Sequence, residues 1–504
     1  MKEVDSVALA NKVGVVVASK VIASLIELAV IILLARLLPK EQVAVVAFLL
    51  LVHQTAHHLA TFGFPESVFY FFERVSPGAR RALVLQTGGL LCVSAAIAAG
   101  AILALSGAVP WILSDWSSTA QGSVSSLLPI LALAVFLEIP TWPANNVLLA
   151  CDRQRQAAWY QIITSVMIFL ALVGPLLLGY GIEACCWALV GYAGLRTVGS
   201  TLWLRAVLPP STEIIPPGML RHQVSFSIPL GLNALSSRLN RYVDRFVVSF
   251  MLPAYVLAEY QVGAQEVPFI PAIAYATGSV LISRYVALEV ASRTDDLIDL
   301  WYRGIRAITL LVVPATVVLL VISRDLVLLL FGPSYEPAVL PFQIYSLILL
   351  FRVTQYGAMM QTFGDTKGIL AFTLTTLLVN LVLSVPFTWA LGIPGTALAT
   401  LIATYLGFYL YLRRIGKHLG LPFWRVLPLG HYGRVLGLAV GCGALSWLLR
   451  YGLLQGLSRP IAVAITAAVF LGAYSLVGTL TGLITRQSWS VVFAWLRLRF
   501  LFHQ

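Results

Sequence analysis

Charge is what this chain has least of. Only 11% of its 504 residues are Asp, Glu, Lys or Arg, against about 25% in a soluble globular domain. With 59% hydrophobic residues and a mean hydropathy of +0.89, no soluble core could hide the apolar surface. Lipid must be the solvent for most of it. Cysteine is scarce too. Cys92, Cys151, Cys185, Cys186 and Cys442 lie in or beside apolar segments, at spacings that fit neither a disulfide framework nor a zinc cluster. They read as small hydrophobes. Long polar loops are also missing: the longest outer one, near 107–126, holds Asp115 as its single ionisable side chain. The chain shows no nucleotide-binding glycine loop, nucleophile elbow or metal-ligand triad, so neither an enzyme nor a cofactor is expected. The net charge of +12 does not imply nucleic acid, because the basic residues sit in short interhelical loops rather than in one patch.

What remains is a series of long apolar runs. A span needs about 20 residues to cross a core about 30 Å thick. Runs of that length fall near 13–37, 43–62, 83–106, 127–149, 157–178, 183–205, 223–250, 256–284, 305–330, 338–362, 369–390, 394–413, 433–455 and 460–482. An all-α polytopic membrane protein with 14 transmembrane helices is therefore expected. No small-residue cleavage site follows the first run, so it reads as a retained span. Of the 33 Lys and Arg residues, 22 fall at the ends and in the even-numbered loops and five in the odd-numbered loops. That asymmetry places both termini in the cytoplasm. Residues 289–303 and 486–503, which mix aromatic and charged side chains, suit helices lying at the headgroups.

The chain also repeats itself. Leu38-Pro39 with Ala44 matches Leu252-Pro253 with Ala258, Asp152-Arg153 matches Asp365-Thr366-Lys367, and Gly181-Ile182 matches Gly392-Ile393. Six spans per repeat make the halves parallel, so a pseudo-twofold along the membrane normal should relate them. The expected organisation is an N-lobe at 1–208, a linker at 209–220, a C-lobe at 221–418, and two further spans with an interfacial helix at 419–504.

Six cations lie inside the spans: Lys20, Arg196, Arg238, Arg241, Arg245 and Arg352. A cation at mid-bilayer costs about 2.5–3.5 kcal/mol on the insertion scale, so the four deepest arginines together cost on the order of 10 kcal/mol if lipid-facing. They must turn toward a wet interior or a partner. A wet cationic interior suits an anionic cargo.

Several motifs bear a family resemblance. They are Ala35-Arg36-Leu37-Leu38-Pro39-Lys40-Glu41, Phe62-Gly63-Phe64-Pro65, Asn240-Arg241-Tyr242-Val243-Asp244-Arg245 and Phe331-Gly332-Pro333-Ser334-Tyr335. In their order over residues 10–415 the chain resembles the polysaccharide transporter family, the Wzx-type flippases of the multidrug/oligosaccharidyl-lipid/polysaccharide superfamily. It departs from the family where Ala44 and Ala258 stand in place of glycine. The resemblance implies two six-helix lobes around a cavity that opens alternately to either side. It also implies an undecaprenyl-diphosphate-linked oligosaccharide as cargo, with membrane lipids around its tail. Spans 13 and 14 are then left to cradle that tail or to dock a polysaccharide polymerase.

Candidate residues follow from spacing and depth. Arg238, Arg241 and Arg245 are three and four apart and share a helix face with Asn233 and Asn240 nearby. Guanidinium offers paired donors to diphosphate oxygens, so Arg238, Arg241, Arg352, Arg196 and Lys20 are candidate cargo contacts. The competing reading of each is an ion-pair clasp. Glu27, Glu138 and Asp244 are candidates for ion coupling or for neutralising an arginine, as are Glu259 and Glu266. His53 and His57 have the i, i+4 spacing of two metal ligands, but no third ligand accompanies them in the sequence. They are read with Asn233 and Asn240 as sugar contacts or polar lining, and no metal is expected. Trp142, Tyr160, Tyr260 and Tyr275 are candidate stacking platforms for sugar rings. Two other functions compete: a cation-coupled exporter of small amphiphiles, which should have an acidic interior, and a membrane polymerase or transferase, which should have a larger outer loop.

Overall fold

The structure, a computed structural model, describes residues 2–211, 213, 217–265, 281–282 and 284–484; the side chains of 2–17, 230 and 233 lie outside that description. Every regular element among the described residues is helical. The first unit, Met1–Ala258, contains α1 (Lys2–Leu37), α2 (Lys40–Thr61), α3 (Phe64–Phe72), α4 (Arg80–Ile112), α5 (Ser118–Glu138), α6 (Pro143–Ala150), α7 (Gln154–Leu177), α8 (Ile182–Val207) and α9 (Met219–Met251). The boundary between units falls inside α10 (Ala254–Gly263). The second unit, Glu259–Gln504, continues with α11 (Thr294–Phe331), α12 (Val339–Ile348), α13 (Tyr356–Thr362), α14 (Thr366–Leu391), α15 (Ile393–Leu419), α16 (Leu429–Gly452) and α17 (Arg459–Leu480).

Eleven segments among the described residues are long and apolar enough to cross a membrane. The protein is thus an all-helical, multi-pass membrane protein. Neither α8 nor α9 is among the eleven; Arg196 interrupts the first, and Arg238, Arg241, Asp244 and Arg245 interrupt the second. Expected span 8 lies partly outside the described residues, as do Glu266, Tyr275 and the tail 486–503.

Local sequence sets the punctuation. Pro39, which cannot continue a helix, caps α2 after α1 stops at Leu37. Ser117 caps α5 by accepting from the Ala120 N–H. The second run ends where expected, and two spans read as single runs are in fact broken. Phe62 and Gly63 enter the left-handed region between α2 and α3, Ile139–Thr141 form a 3-10 turn between α5 and α6, and Leu349–Phe351 do the same after α12. The repeat reappears in these elements. The starts of α2 and α10, α7 and α14, and α8 and α15, and the two 3-10 turns, are offset by 214, 212, 211 and 210 residues. Ala44 and Ala258 are wholly buried, so these positions have room for a small side chain alone.

Two expectations about loops change. The outer loop near 107–126 shrinks to 113–117, because α4 runs on to Ile112 and α5 begins at Ser118. Residues 294–303 are continuous with α11 rather than a separate interfacial helix.

Within the first unit, α1 packs on α7, α5 on α4 and α8, and α2 on α4, α5 and α9. Its core joins Val30, Leu34, Val46, Ala134, Leu172, Leu189 and Tyr192. Lipid tails are as apolar as these side chains, so close packing and polar contacts hold the helices together rather than hydrophobic transfer. The tightest approach is between the α2–α3 break and α9: a Cβ on Gly231 would lie 2.5 Å from the Phe62 carbonyl oxygen. Beside it, Gly63 has φ +79° and would meet the Gly231 nitrogen at 2.8 Å. This contact explains the Phe62-Gly63 pair. In the second unit, α14 packs on α15, α11 on α16, and α16 on α17.

Candidate functional site: a charged cluster in the first unit

The break that ends α5 delivers Glu138 into the first unit, 3% exposed on the side chain. A carboxylate at that burial must be paired, and four side chains from two other helices converge on it. His53 Nε2 on α2 is 3.0 Å from Glu138 Oε2, and His57 Nε2, one turn on, is 3.1 Å from the same oxygen. The second contact is too poorly aligned to be a hydrogen bond, since neither ring nitrogen of His57 has a partner. The other carboxylate oxygen, Oε1, accepts from Tyr192 OH at 3.2 Å and from Arg196 Nη1. Arg196 also donates to Tyr192 OH at 2.9 Å and, through Nε, to Tyr160 OH at 3.1 Å. Tyr160 OH lies 3.0 Å from Ser200 Oγ, and the Arg196 guanidinium sits over the Trp142 ring at 5.7 Å.

This arrangement shows what several candidate residues touch. Arg196 is paired with Glu138, its Nε and Nη1 donors meeting one carboxylate and two phenols. Tyr160 is likewise committed to Arg196 and Ser200 and is buried, so it offers no ring face to a sugar. Tyr260 is fully buried against Tyr345, with the hydroxyls 3.2 Å apart, and is no platform either. Glu138 neutralises Arg196, the pairing that competed with ion coupling. The third member of the His53–His57 pair, invisible in the sequence, is Glu138.

A second group lines α9. Arg238 Nη1 is 3.0 Å from His58 Nε2 on α2, and His58 stacks on Tyr242 with centroids 6.2 Å apart and planes at 13°. Nothing in the sequence joins His58 to Arg238, because the two lie 180 residues apart. Arg241 is exposed and has no ion-pair partner among the described residues. Asp244 is buried and accepts from the Arg245 backbone N–H at 2.8 Å, and the Arg245 guanidinium lies over Tyr242 at 5.8 Å. Asn240 is half-buried, and the Asn233 side chain lies outside the described residues. On α1, Lys20 and Glu27 are exposed.

In the second unit, Arg352 is half-buried at the break between α12 and α13. Gln355, three residues on, accepts from Tyr285 OH at 2.9 Å. A further buried pair was not anticipated. Arg450 lies in the last turn of α16. It meets Asp325 of α11 with two donors, at 2.6 and 3.0 Å.

Fold and cluster together define a polytopic, all-helical membrane protein whose first unit holds a buried Arg196–Glu138 pair. The chain belongs to the polysaccharide biosynthesis protein family, whose model matches residues 9–282. A curated relative, the probable lipid II flippase MurJ of Vibrio cholerae serotype O1, is 25% identical over 287 residues, covering 51% of each chain. The chain thus spans about half the length of the curated relative it matches. Among solved structures, it is similar to a lipid II flippase MurJ in an inward closed conformation, with a TM-score of 0.66 at 14% identity. That match covers 91% of this chain and 98% of the other. It is also similar to a multidrug resistance MATE family transporter of the MOP superfamily in an inward-facing conformation, with a TM-score of 0.59 at 14% identity. Here 81% and 99% of the two chains are covered. A MOP superfamily transporter from Pyrococcus furiosus gives a TM-score of 0.54 at 15% identity, over 82% and 96%. At such identities these likenesses establish the fold alone.

Proposed function

We propose that this chain is a flippase that moves a diphosphate-linked oligosaccharide on a polyprenyl carrier from the inner to the outer leaflet of a bacterial cytoplasmic membrane. Undecaprenyl diphosphate is the carrier the family resemblance implies, and exopolysaccharide or O-antigen synthesis is the setting. The observation that carries the reading is Arg241: an exposed guanidinium in the middle of an intramembrane helix, without an ion-pair partner among the described residues, one turn from Arg238. An uncompensated cation at that depth costs about 2.5–3.5 kcal/mol, which a bound anion offsets. Membership of a polysaccharide biosynthesis family and a flippase relative support the same cargo class.

In this reading the diphosphate and sugars enter from the cytoplasm, the polyprenyl tail staying in lipid. Alternating access then exposes the headgroup outward. Bound diphosphate screens Arg238 and Arg241 from each other and lowers the barrier to closing around it. Arg352 and Lys20 are further contacts for the anion, and Glu27, deep in the first span, is the residue whose protonation would respond to the side that is open. Asn233 and Asn240 would meet the sugars. Both termini lie in the cytoplasm, as the 22-to-5 distribution of basic residues favours. The chain transports its substrate unchanged and catalyses no bond chemistry.

The test neutralises Arg238, Arg241 and Arg352 one at a time in a strain that depends on this chain, with membrane abundance measured in parallel. Lipid-linked glycan should accumulate on the inner leaflet while the protein stays at normal level. Normal export by all three variants would end the assignment. Hypersensitivity of a deletion strain to cationic amphiphiles, with glycan export intact, would favour the exporter reading instead.

A further inference from the structure

We propose that His53, His57 and Glu138 form a binding site for one zinc-class divalent transition-metal ion, held between α2 and α5 within the first unit. One donor atom from each lies within 4.8 Å of the other two. The i, i+4 spacing puts both imidazoles on one face of α2, with ring centroids 4.5 Å apart and planes tilted by 51°. Both Nε2 atoms lie close to the same oxygen, Glu138 Oε2, at 3.0 and 3.1 Å. A tetrahedral ion with bonds of about 2.0–2.1 Å has ligand–ligand edges of about 3.3 Å, so spreading the side chains by a few tenths of an ångström admits it.

Three features separate this cluster from an ordinary ion network. First, His57 is 1% exposed, yet neither of its ring nitrogens has a hydrogen-bond partner. A buried polar atom left in that state is destabilising, and coordination through Nε2 relieves it at that nitrogen. Second, the carboxylate is already divided. Oε1 is held by Arg196 and Tyr192, which fixes the group while Oε2 faces the imidazoles, the outer support that metal-ligating carboxylates require. Third, the His53 side chain is 13% exposed, so the cluster has one open side for a fourth ligand. Two imidazoles and one carboxylate suit zinc and its neighbours rather than magnesium or calcium, which prefer all-oxygen shells. Arg196 shares the charge of Glu138, so a bound dication leaves the cluster positive and favours an anionic oxygen or hydroxide in the open position. The proposal is independent of the glycan reading.

Purified full-length protein in detergent, stripped with chelator, is equilibrated with buffered zinc and its metal content measured by mass spectrometry. One equivalent per chain is expected. Cobalt in its place should give the intense visible bands of a tetrahedral site without the near-ultraviolet charge transfer of a thiolate, which excludes the cysteines. His57→Gln, and separately the more exposed His53→Gln, should weaken binding by at least the roughly 10–100-fold that the loss of even an outer-shell partner costs. No stoichiometric zinc on the wild-type chain, a thiolate band, or equal binding by a well-folded histidine variant would each overturn the proposal.

Discussion

Replacing Glu138 by Gln should be the most damaging single change in the first unit, and more damaging than replacing its partner. The Arg196 side chain is 10% exposed and that of Glu138 3%. Breaking a pair at such burial by removing one member costs about 3–5 kcal/mol, mostly as the penalty on the charge left behind. The two halves are not equivalent. Glu138→Gln leaves Arg196 with two phenol oxygens and no anion, since no other carboxylate touches it among the described residues. Arg196→Gln leaves Glu138 beside the His53 and His57 imidazoles and the Tyr192 hydroxyl, so polar partners from two helices still surround it. Glu138→Gln should therefore cost more by about 1–2 kcal/mol, within the range of a charged hydrogen bond. The double variant should recover much of the loss, because it buries no net charge. In detergent, thermal unfolding followed by size-exclusion fluorescence should show a drop on the order of 10 °C for Glu138→Gln, less for Arg196→Gln, and a partial return in the double variant. Strict additivity, with a coupling below about 0.5 kcal/mol, or a larger loss for Arg196→Gln, would refute the clasp.

Three further outcomes are expected. Gly231→Ala drives a methyl group into the Phe62 backbone at 2.5 Å and should cost about 1–3 kcal/mol, read as lost membrane abundance, whereas Gly122→Ala, which meets nothing within 4 Å, should be silent. Arg241→Ala should leave thermal stability within about 0.5 kcal/mol of wild type while abolishing glycan export; Arg450→Ala should do the reverse, unfolding the second unit by stranding Asp325. Asp365, which caps α14 between spans, is held down from 3.8 to about 2 by donors from Arg414 and His418 and by the Gly368 N–H. Its folded value lies below its unfolded one, so its contribution is complete above about pH 4 and lost as pH falls toward 2; Asp365→Asn should flatten that acid limb in a pH series of unfolding midpoints.

Much of the helical plan was legible because each helix is specified by its own stretch of chain. Leu38-Pro39, Phe62-Gly63 and Gly392-Ile393 mark ends and breaks through backbone geometry that any reader of φ preferences can anticipate. Boundaries that depend on neighbours were not legible. The run at 107–126 holds Asp115, Ser117 and Ser118 and reads as a loop, yet 107–112 belong to α4 and 118–126 to α5, two helices that pack on each other. The pairing of Arg450 was not legible either, because the sequence has no means of placing Asp325, 125 residues earlier, against it. The cluster around Glu138 failed for the same reason. His53 and Arg196 lie 85 and 58 residues from it in the chain, and each taken alone is consistent with cargo, ion or partner.

Composition by itself fixed the solvent and the class: too few charges to be soluble, enough apolar length for many spans, and several arginines that lipid would not tolerate unaided. Packing decided what satisfies each of those arginines. Arg196 is given a carboxylate and two phenols, Arg238 an imidazole, Arg450 both oxygens of Asp325, and Arg241 no ion-pair partner among the described residues. Insertion into a bilayer is an energy summed along one segment. Charge pairing depends instead on which faces of which helices touch, and that is written in no segment alone.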